Sequence, residues 1–440
     1  MTTTTVAVDR ARAAVPGWRA TPASERAGHL RAAADELRRN DADLAALLCR
    51  TTGRLLGEAQ ASVTAAAHLL EEAAVTGLGP LVGGRLLAGD PGAVDYVAAE
   101  PRGVVAAITP WNDPYPAAAG LVAAALVSGN TVVHKPSERS SEPGRVFTDI
   151  LSGVLPDGVL VHLEGGPDTG RELVASDGVD LVAHIGSSAT GASVRRACAD
   201  RGAVSITENG GNDPVLVDAG VDPRWAAQQV ATGAYANAGQ LCSSVERVYL
   251  HEAVADDVVA ELVRLADSLV VGDPMNPATT MGPLVDERAV ASVDHHVQDA
   301  LSRGARLLTG GRVLDALPNA YAPTVLVDCT DDMVVMSEET FGPVAPVAVV
   351  GSWAEGLSRA GDGRFGLGAT VLTADHGRAM EAVESLDVGT VRVNSVFGGA
   401  PGGSADPRRS SGRGVGFGPD LLAQMVLLKA VHIETAPAAT

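Results

Sequence analysis

Apolar residues recur at three- and four-residue spacing from near the start of the chain to about residue 77. Leu30, Ala33 and Leu37 share one face of the segment 24–38, and the same rhythm returns over 41–49. This spacing predicts amphipathic helices through 7–77, with Ser24 and Asp41 as N-caps. The texture changes over 78–110, where Gly, Pro and Val dominate. Leu86-Leu87-Ala88-Gly89-Asp90-Pro91-Gly92 turns the chain, and Val94, Tyr96 and Ala98 then fall at alternate positions. A β-hairpin leaving the main body is expected there. After Arg102-Gly103, the run Val104-Val105-Ala106-Ala107-Ile108-Thr109 is apolar on both faces, as in a strand buried within a parallel sheet.

Further strand-like runs lie at 131–134, 159–163, 181–185 and 214–217, with helical patterns between them. Such alternation predicts a parallel, doubly wound sheet. Near residue 225 the rhythm restarts. A helix from Trp225 to Tyr235, a strand at 246–250, a helix at 252–269 and strands at 323–327 and 344–350 imply a second α/β domain. The tail from Met425 to Glu434 alternates again and is expected to pair elsewhere. No internal repeat or low-complexity linker is visible.

At 440 residues the chain exceeds what one core usually organises, in keeping with two domains and an appendage. A formal charge of −20 argues against nucleic acid as a partner. Cys49, Cys198, Cys242 and Cys329 are too scattered for a zinc cluster or a disulfide framework, so no metal and a reducing cytoplasm are expected. The first residues lack a basic stretch followed by a long apolar run, so no signal peptide is expected. The apolar segment 115–128 is broken by Pro116, Gly120 and Ser128 and is too short to span a bilayer, so no membrane partner is expected.

Candidate chemistry begins with Gly239-Gln240-Leu241-Cys242 and Glu208-Asn209-Gly210-Gly211. A thiol nucleophile and a carboxylate base are what covalent catalysis with hydrolytic release requires. A cysteine and a glutamate far apart in sequence are usually structural, so the pair alone decides nothing. Gly186-Ser187-Ser188-Ala189-Thr190-Gly191 follows strand 181–185, where backbone N–H groups and a helix dipole can meet a phosphate, although glycine turns are common there. Lys135-Pro136-Ser137-Glu138 follows strand 131–134; it suits ribose hydroxyls and equally suits an ordinary loop. Pro110-Trp111-Asn112-Asp113-Pro114 either holds a rigid amide for an oxyanion or is an Asn-Asp turn.

Taken together, P-W-N at 110–112, K-P-S-E at 135–138, G-S-x-x-x-G at 186–191, E-x-G-G at 208–211, G-Q-x-C at 239–242, E-E-T-F-G-P-V at 338–344 and V-N-S at 393–395 resemble the aldehyde dehydrogenase superfamily in order and type, over roughly residues 7–434. The resemblance implies an α/β fold with a Rossmann-type cofactor domain (1–82 and 102–209, with 409–424 returning to it). An α/β catalytic domain (210–408) and oligomerisation strands (83–101 and 425–436) complete it. It implies NAD, with NADP also possible, an aldehyde substrate, and a homodimer or homotetramer. Cys242 matches the nucleophile, Asn112 with the Cys242 backbone N–H the oxyanion site, and Glu208 the base that activates water. Lys135 and Glu138 match adenosine-ribose contacts, Ser187 the pyrophosphate contact, and Glu339 the nicotinamide-ribose contact with Phe341 beside it. Ile108, Trp111, Gly186 and Gly191 complete the implied cofactor positions.

The chain departs from the family pattern in places. The strands that usually precede the first helix are missing, and Asn209 stands where leucine is common. The region Pro401-Gly402-Gly403-Ser404 through Gly412 lacks a phenylalanine and carries extra residues. Leu241 stands where families that take phosphate-bearing substrates place arginine. Asp113, Ala117, Gly120 and Ala236 predict a wide substrate tunnel, with Asp113 either lending negative potential to its wall or capping a turn. Glu208 argues against a CoA-acylating enzyme, and retention of Cys242, Asn112 and Glu208 argues against a catalytically silent binding protein.

Overall fold

The computed structural model describes residues 2–89, 92–315, 317–399 and 402–436; Asp90, Pro91 and Pro401, named above, lie outside the described residues. The 3.6-residue rhythm becomes four helices, Thr3–Ala20, Ala23–Arg39, Asp41–Thr52 and Leu56–Thr76. Leu30, Ala33 and Leu37 are each 1% exposed. The expected caps shift by one or two residues. Pro22 and Asn40 occupy the N-cap positions without side-chain capping bonds, and Ser24 and Asp41 lie inside the first turns.

Six strands form the first sheet, in the order Gly412–Arg413, Val204–Glu208, Leu181–Ile185, Val104–Thr109, Thr131–Pro136 and Leu160–His162. All neighbours run parallel except Gly412–Arg413, which is antiparallel on Val204–Glu208. Helices cover both faces. Val105 and Ala107 join one buried cluster, Val104 and Ala106 another, as alternating side chains on a pleated strand must. Strand Val204–Glu208 was absent from the sequence-based expectation; its Val-Ser-Ile-Thr run is half polar.

Seven strands form a second sheet, in the order Arg306–Thr309, Thr324–Val327, Val344–Val350, Val245–His251, Asp213–Val217, Gly368–Leu372 and Thr390–Val393, parallel apart from the first. The third sheet has three strands. Arg85–Leu86 and Ala93–Pro101 form the expected hairpin, and the tail Val426–Glu434 pairs antiparallel along the whole of Ala93–Pro101. The hairpin and the tail are therefore each other's partners, not two unpaired strands. No helix among the described residues is long and apolar enough to cross a membrane.

Candidate active site

Four parallel strands of the first sheet end along one rim, and each leaves a different chemical group there. Val104–Thr109 runs into Trp111 and Asn112, Thr131–Pro136 into Ser137 and Glu138, Leu181–Ile185 into Gly186 and Ser187, and Val204–Glu208 ends on Glu208 itself. The chain builds outward from Val104–Thr109 through Leu160–His162, then returns to its other side with Leu181–Ile185. Such a reversal of strand order opens a crevice at the carboxyl ends, where open α/β sheets bind ligands. A cavity of about 1310 Å³ occupies it. Cys242, Glu208, Asn112, Ile108, Trp111, Lys135, Glu138, Gly186, Ser187, Glu339 and Phe341 all line this cavity. Gly191 does not. It is buried in the first turn of helix Ser188–Asp200, where any side chain would collide with the Asn209 amide, so its place is in packing.

The turn that carries Cys242 is conformationally costly. Asn237, Ala238 and Gly239 have φ of 48°, 55° and 72°, a left-handed run in which two members carry side chains. Surrounding groups hold it in place. Glu58 Oε1 accepts from the Asn237 N–H at 3.0 Å, and Gln240 Nε2 donates to the Asn237 carbonyl at 3.0 Å. Gln240 Oε1 accepts from the Val285 N–H at 3.0 Å, and Ser244 Oγ donates to the Gly239 carbonyl at 3.1 Å. Asn112 reaches across: its Nδ2 donates to the Gln240 carbonyl at 3.0 Å, and its own carbonyl accepts from Arg54 Nη1 at 2.9 Å. The amide is thus fixed beside the cysteine, and its second N–H remains for a ligand. Burial, followed by the charges of Glu208, Asp213, Glu339 and Asp113, pushes the Cys242 thiol far above its ordinary range.

Glu208 has the complementary property. Burial raises its pKa to about 7, and its Oε2 has no hydrogen-bond partner among the described residues. A carboxyl group that ionises near neutrality and faces a cavity suits proton transfer with water. The two glycines that follow it serve close approach. A side chain on Gly210 would strike the Glu339 carboxylate, and one on Gly211 would come within 2.8 Å of the Cys242 carbonyl. Asn209 is held by its backbone N–H to the Ser411 carbonyl at 2.8 Å and by Nδ2 to the Ser410 carbonyl at 3.1 Å. His184 lies beside it at the rim, held down to about 4 by burial.

The rest of the cavity suits a dinucleotide. The Ser187 hydroxyl is the N-cap of helix Ser188–Asp200 and accepts from the Thr190 N–H at 3.3 Å, so Ser187 orients the helix terminus. Gly186, Ser187, Ala189 and Thr190 line the cavity at this helix start, where free backbone N–H groups suit a phosphate. Lys135 is buried, and its Nζ donates only to the Pro136 carbonyl at 3.0 Å among the described residues. Trp111 and Phe341 meet edge-on at 5.6 Å, and Arg139, paired with Asp286 at 3.0 Å, lies 5.5 Å from the Trp111 ring. Phe341 holds a φ of 51° because buried Glu246 accepts from the Thr340 and Phe341 N–H groups at 2.8 Å each. Glu58, Asn237, Gln240, Ser244 and Glu246 were not among the expected site residues. Only Gln240 carried a signal, its place in G-Q-x-C.

Ala117 and Gly120 also line the cavity, whereas Ala236 does not. Asp113 lines the cavity and its charge contributes to raising the Cys242 thiol, as the reading of negative potential at the wall expects, whereas the capping reading is not met. It occupies the N-cap position of helix Pro114–Val127 without making a capping bond. Its carboxylate instead pairs with Arg54 at 3.1 Å and accepts from the Ser62 hydroxyl, so its charge is balanced within the protein.

Comparison with known proteins agrees with this geometry. The model of the aldehyde dehydrogenase family matches residues 2–431. The chain is 38% identical over 430 residues to an α-ketoglutarate semialdehyde dehydrogenase of Haloferax volcanii, covering 92% of this chain and 87% of the relative. It is 34% identical to an NADP+ succinate-semialdehyde dehydrogenase of Escherichia coli, covering 89% and 82%. The crystal structure of an NAD-dependent aldehyde dehydrogenase from Sinorhizobium meliloti superposes with a TM-score of 0.95 at 30% identity, over 99% of this chain and 88% of that one.

Proposed function

This chain belongs to the aldehyde dehydrogenase family, and we propose that it oxidises an aldehyde to the carboxylic acid with NAD(P)+ through Cys242, Asn112 and Glu208. The observation that carries this reading is the convergence of a thiol, an amide pinned beside it and a carboxyl group of pKa about 7 on one cavity. Cys242 gives its thiol proton to water in the cavity and attacks the carbonyl carbon as a thiolate, and the carbonyl π pair moves to oxygen. Asn112 Nδ2–H and the Cys242 backbone N–H donate to that oxyanion, and the strained, well-tied turn keeps both donors placed before the charge develops. When bound, NAD(P)+ supplies the hydride acceptor that turns the thiohemiacetal into a thioester. Glu208 then takes a proton from water, the water oxygen attacks the thioester carbon, and the C–S bond breaks to return Cys242.

Lys135 and Glu138 would meet the adenosine ribose, and Gly186 and Ser187 the pyrophosphate, all of them lining the cavity. Glu339 and Phe341 are placed for the nicotinamide end. Release to CoA in place of water is disfavoured by the presence of Glu208. The three-stranded sheet leaves Leu86 79% and Ile433 51% exposed on one face and Leu428 71% exposed on the other, which supports assembly into a dimer or tetramer through this sheet. Cys49, Cys198 and Cys329 are buried and unbonded, which suits a reducing cytoplasm. The test is NADH formation across aliphatic, aromatic, semialdehyde and amino-substituted aldehydes, with and without CoA. Cys242→Ala should abolish it while cofactor binding persists. Oxidation that survives in Cys242→Ala, or that needs CoA, refutes the proposal.

A further inference from the structure

Charge divides the cavity into two arms. Its Lys and Arg residues among the described ones, Lys135, Arg139, Arg171 and Arg288, stand on segment 135–139, on helix Pro167–Ala175 and at the start of helix Glu287–Ser302. The other arm runs between two helices packed on each other, Leu56–Thr76 and Pro114–Val127. Glu72, Ala73 and Thr76 line it from the first, and Ala117, Gly120 and Ala124 from the second, each set at helical spacing. No Lys or Arg lines this arm among the described residues. Asp113, at its inner end, is already paired with Arg54. Glu72 is different. It is half-buried, and among the described residues its side chain has neither a hydrogen-bond partner nor an ion pair.

We propose that Glu72 determines substrate specificity and that the aldehyde served by this arm carries a cationic group at its far end. The inference rests on the aldehyde-oxidising reading above. A distal ammonium group would neutralise a carboxylate that nothing else neutralises, in a partly dehydrated wall where the pair is screened less than in open water. A distal carboxylate would meet a like charge with no counter-ion in the arm. The small side chains of Ala117, Gly120 and Ala124 leave room for a substituted nitrogen opposite.

The test compares two aldehydes of matched shape, 4-trimethylammoniobutanal and 5,5-dimethylhexanal, together with the anion 4-oxobutanoate. The cationic aldehyde should have the highest kcat/KM and the anion the lowest. In Glu72→Gln the preference for the cation over its neutral isostere should fall about two- to fivefold, the range expected for a half-exposed ion pair. Glu72→Lys should make 4-oxobutanoate preferred over the cation. Equal kcat/KM for the matched pair in the wild type, or an unchanged ratio in both variants, overturns the inference while leaving aldehyde oxidation intact. If none of the three aldehydes nor any in the wider panel yields NADH, the oxidation reading itself has failed.

Discussion

Replacing Glu208 with Gln separates the two halves of the reaction. In the folded chain the Glu208 carboxyl ionises near pH 7, where an ordinary glutamate does so near 4.5, because burial opposes its charge. The base form is therefore about a tenth of the population at pH 6 and about nine tenths at pH 8. Hydrolysis of the Cys242 thioester should accelerate roughly tenfold across that interval and slow again as pH falls through 7. In Glu208→Gln the slope should vanish, and hydrolysis should drop by ~10²–10⁴-fold, the usual worth of a positioned base. Stopped flow should still show a first burst of NADH, because hydride leaves before water attacks. Acid quenching followed by intact-mass measurement should show the acyl group retained on Cys242, with a lifetime that no longer depends on pH. Wild-type hydrolysis that is flat between pH 6 and 8, or centred near 4.5, refutes the argument from burial. A variant with no burst places Glu208 before the thioester.

Asn112→Ala removes an oxyanion donor and should lower kcat by ~10²–10³-fold with little change in KM, measured with a saturating neutral aldehyde; an unchanged kcat removes Asn112 from the oxyanion site. Glu246→Ala leaves the Thr340 and Phe341 N–H groups without their acceptor and should lower stability by about 1–3 kcal/mol and weaken cofactor binding, read by denaturant titration and fluorescence. Glu138 should favour NAD+, because a 2′-phosphate brings negative charge beside it; Glu138→Ser should raise kcat/KM with NADP+ relative to NAD+, and wild-type preference for NADP+ contradicts this. Light scattering should report a mass above the 44.6 kDa of one chain, and Leu428→Lys should lower it towards that value.

Periodicity was enough for the fold's outline, because buried parallel strands such as Val104–Thr109 leave no polar face to confuse the pattern. The chemistry of the rim was legible where a motif binds a residue type to a backbone need, as in Glu208-Asn209-Gly210-Gly211. It was illegible where the cause is tertiary. Ala238 adopts a left-handed angle that alanine disfavours, next to Asn237, which tolerates one, and the turn is held by Glu58 and Gln240. Glu246 reads as an outward charge in Val245–His251, yet that strand sits in the middle of its sheet, and burial pushes the carboxylate above its ordinary range. Asp113 looked free in sequence because Arg54, which balances it, arrives from a distant helix–helix turn.

The pairing of Gly412–Arg413 against Val204–Glu208, with Asn209 tied to Ser410 and Ser411, also has a consequence in time. A chain emerging from the ribosome exposes Glu208 and Cys242 well before residues 410–413 exist. Until those residues appear, the strand ending in Glu208 is an open sheet edge, a place where nascent chains pair wrongly. The tail that follows is anchored elsewhere, where Asn130 Nδ2 donates to the Met425 carbonyl at 3.0 Å. A chain stopped short of residue 410 therefore carries Glu208 at the end of a strand that lacks its antiparallel neighbour.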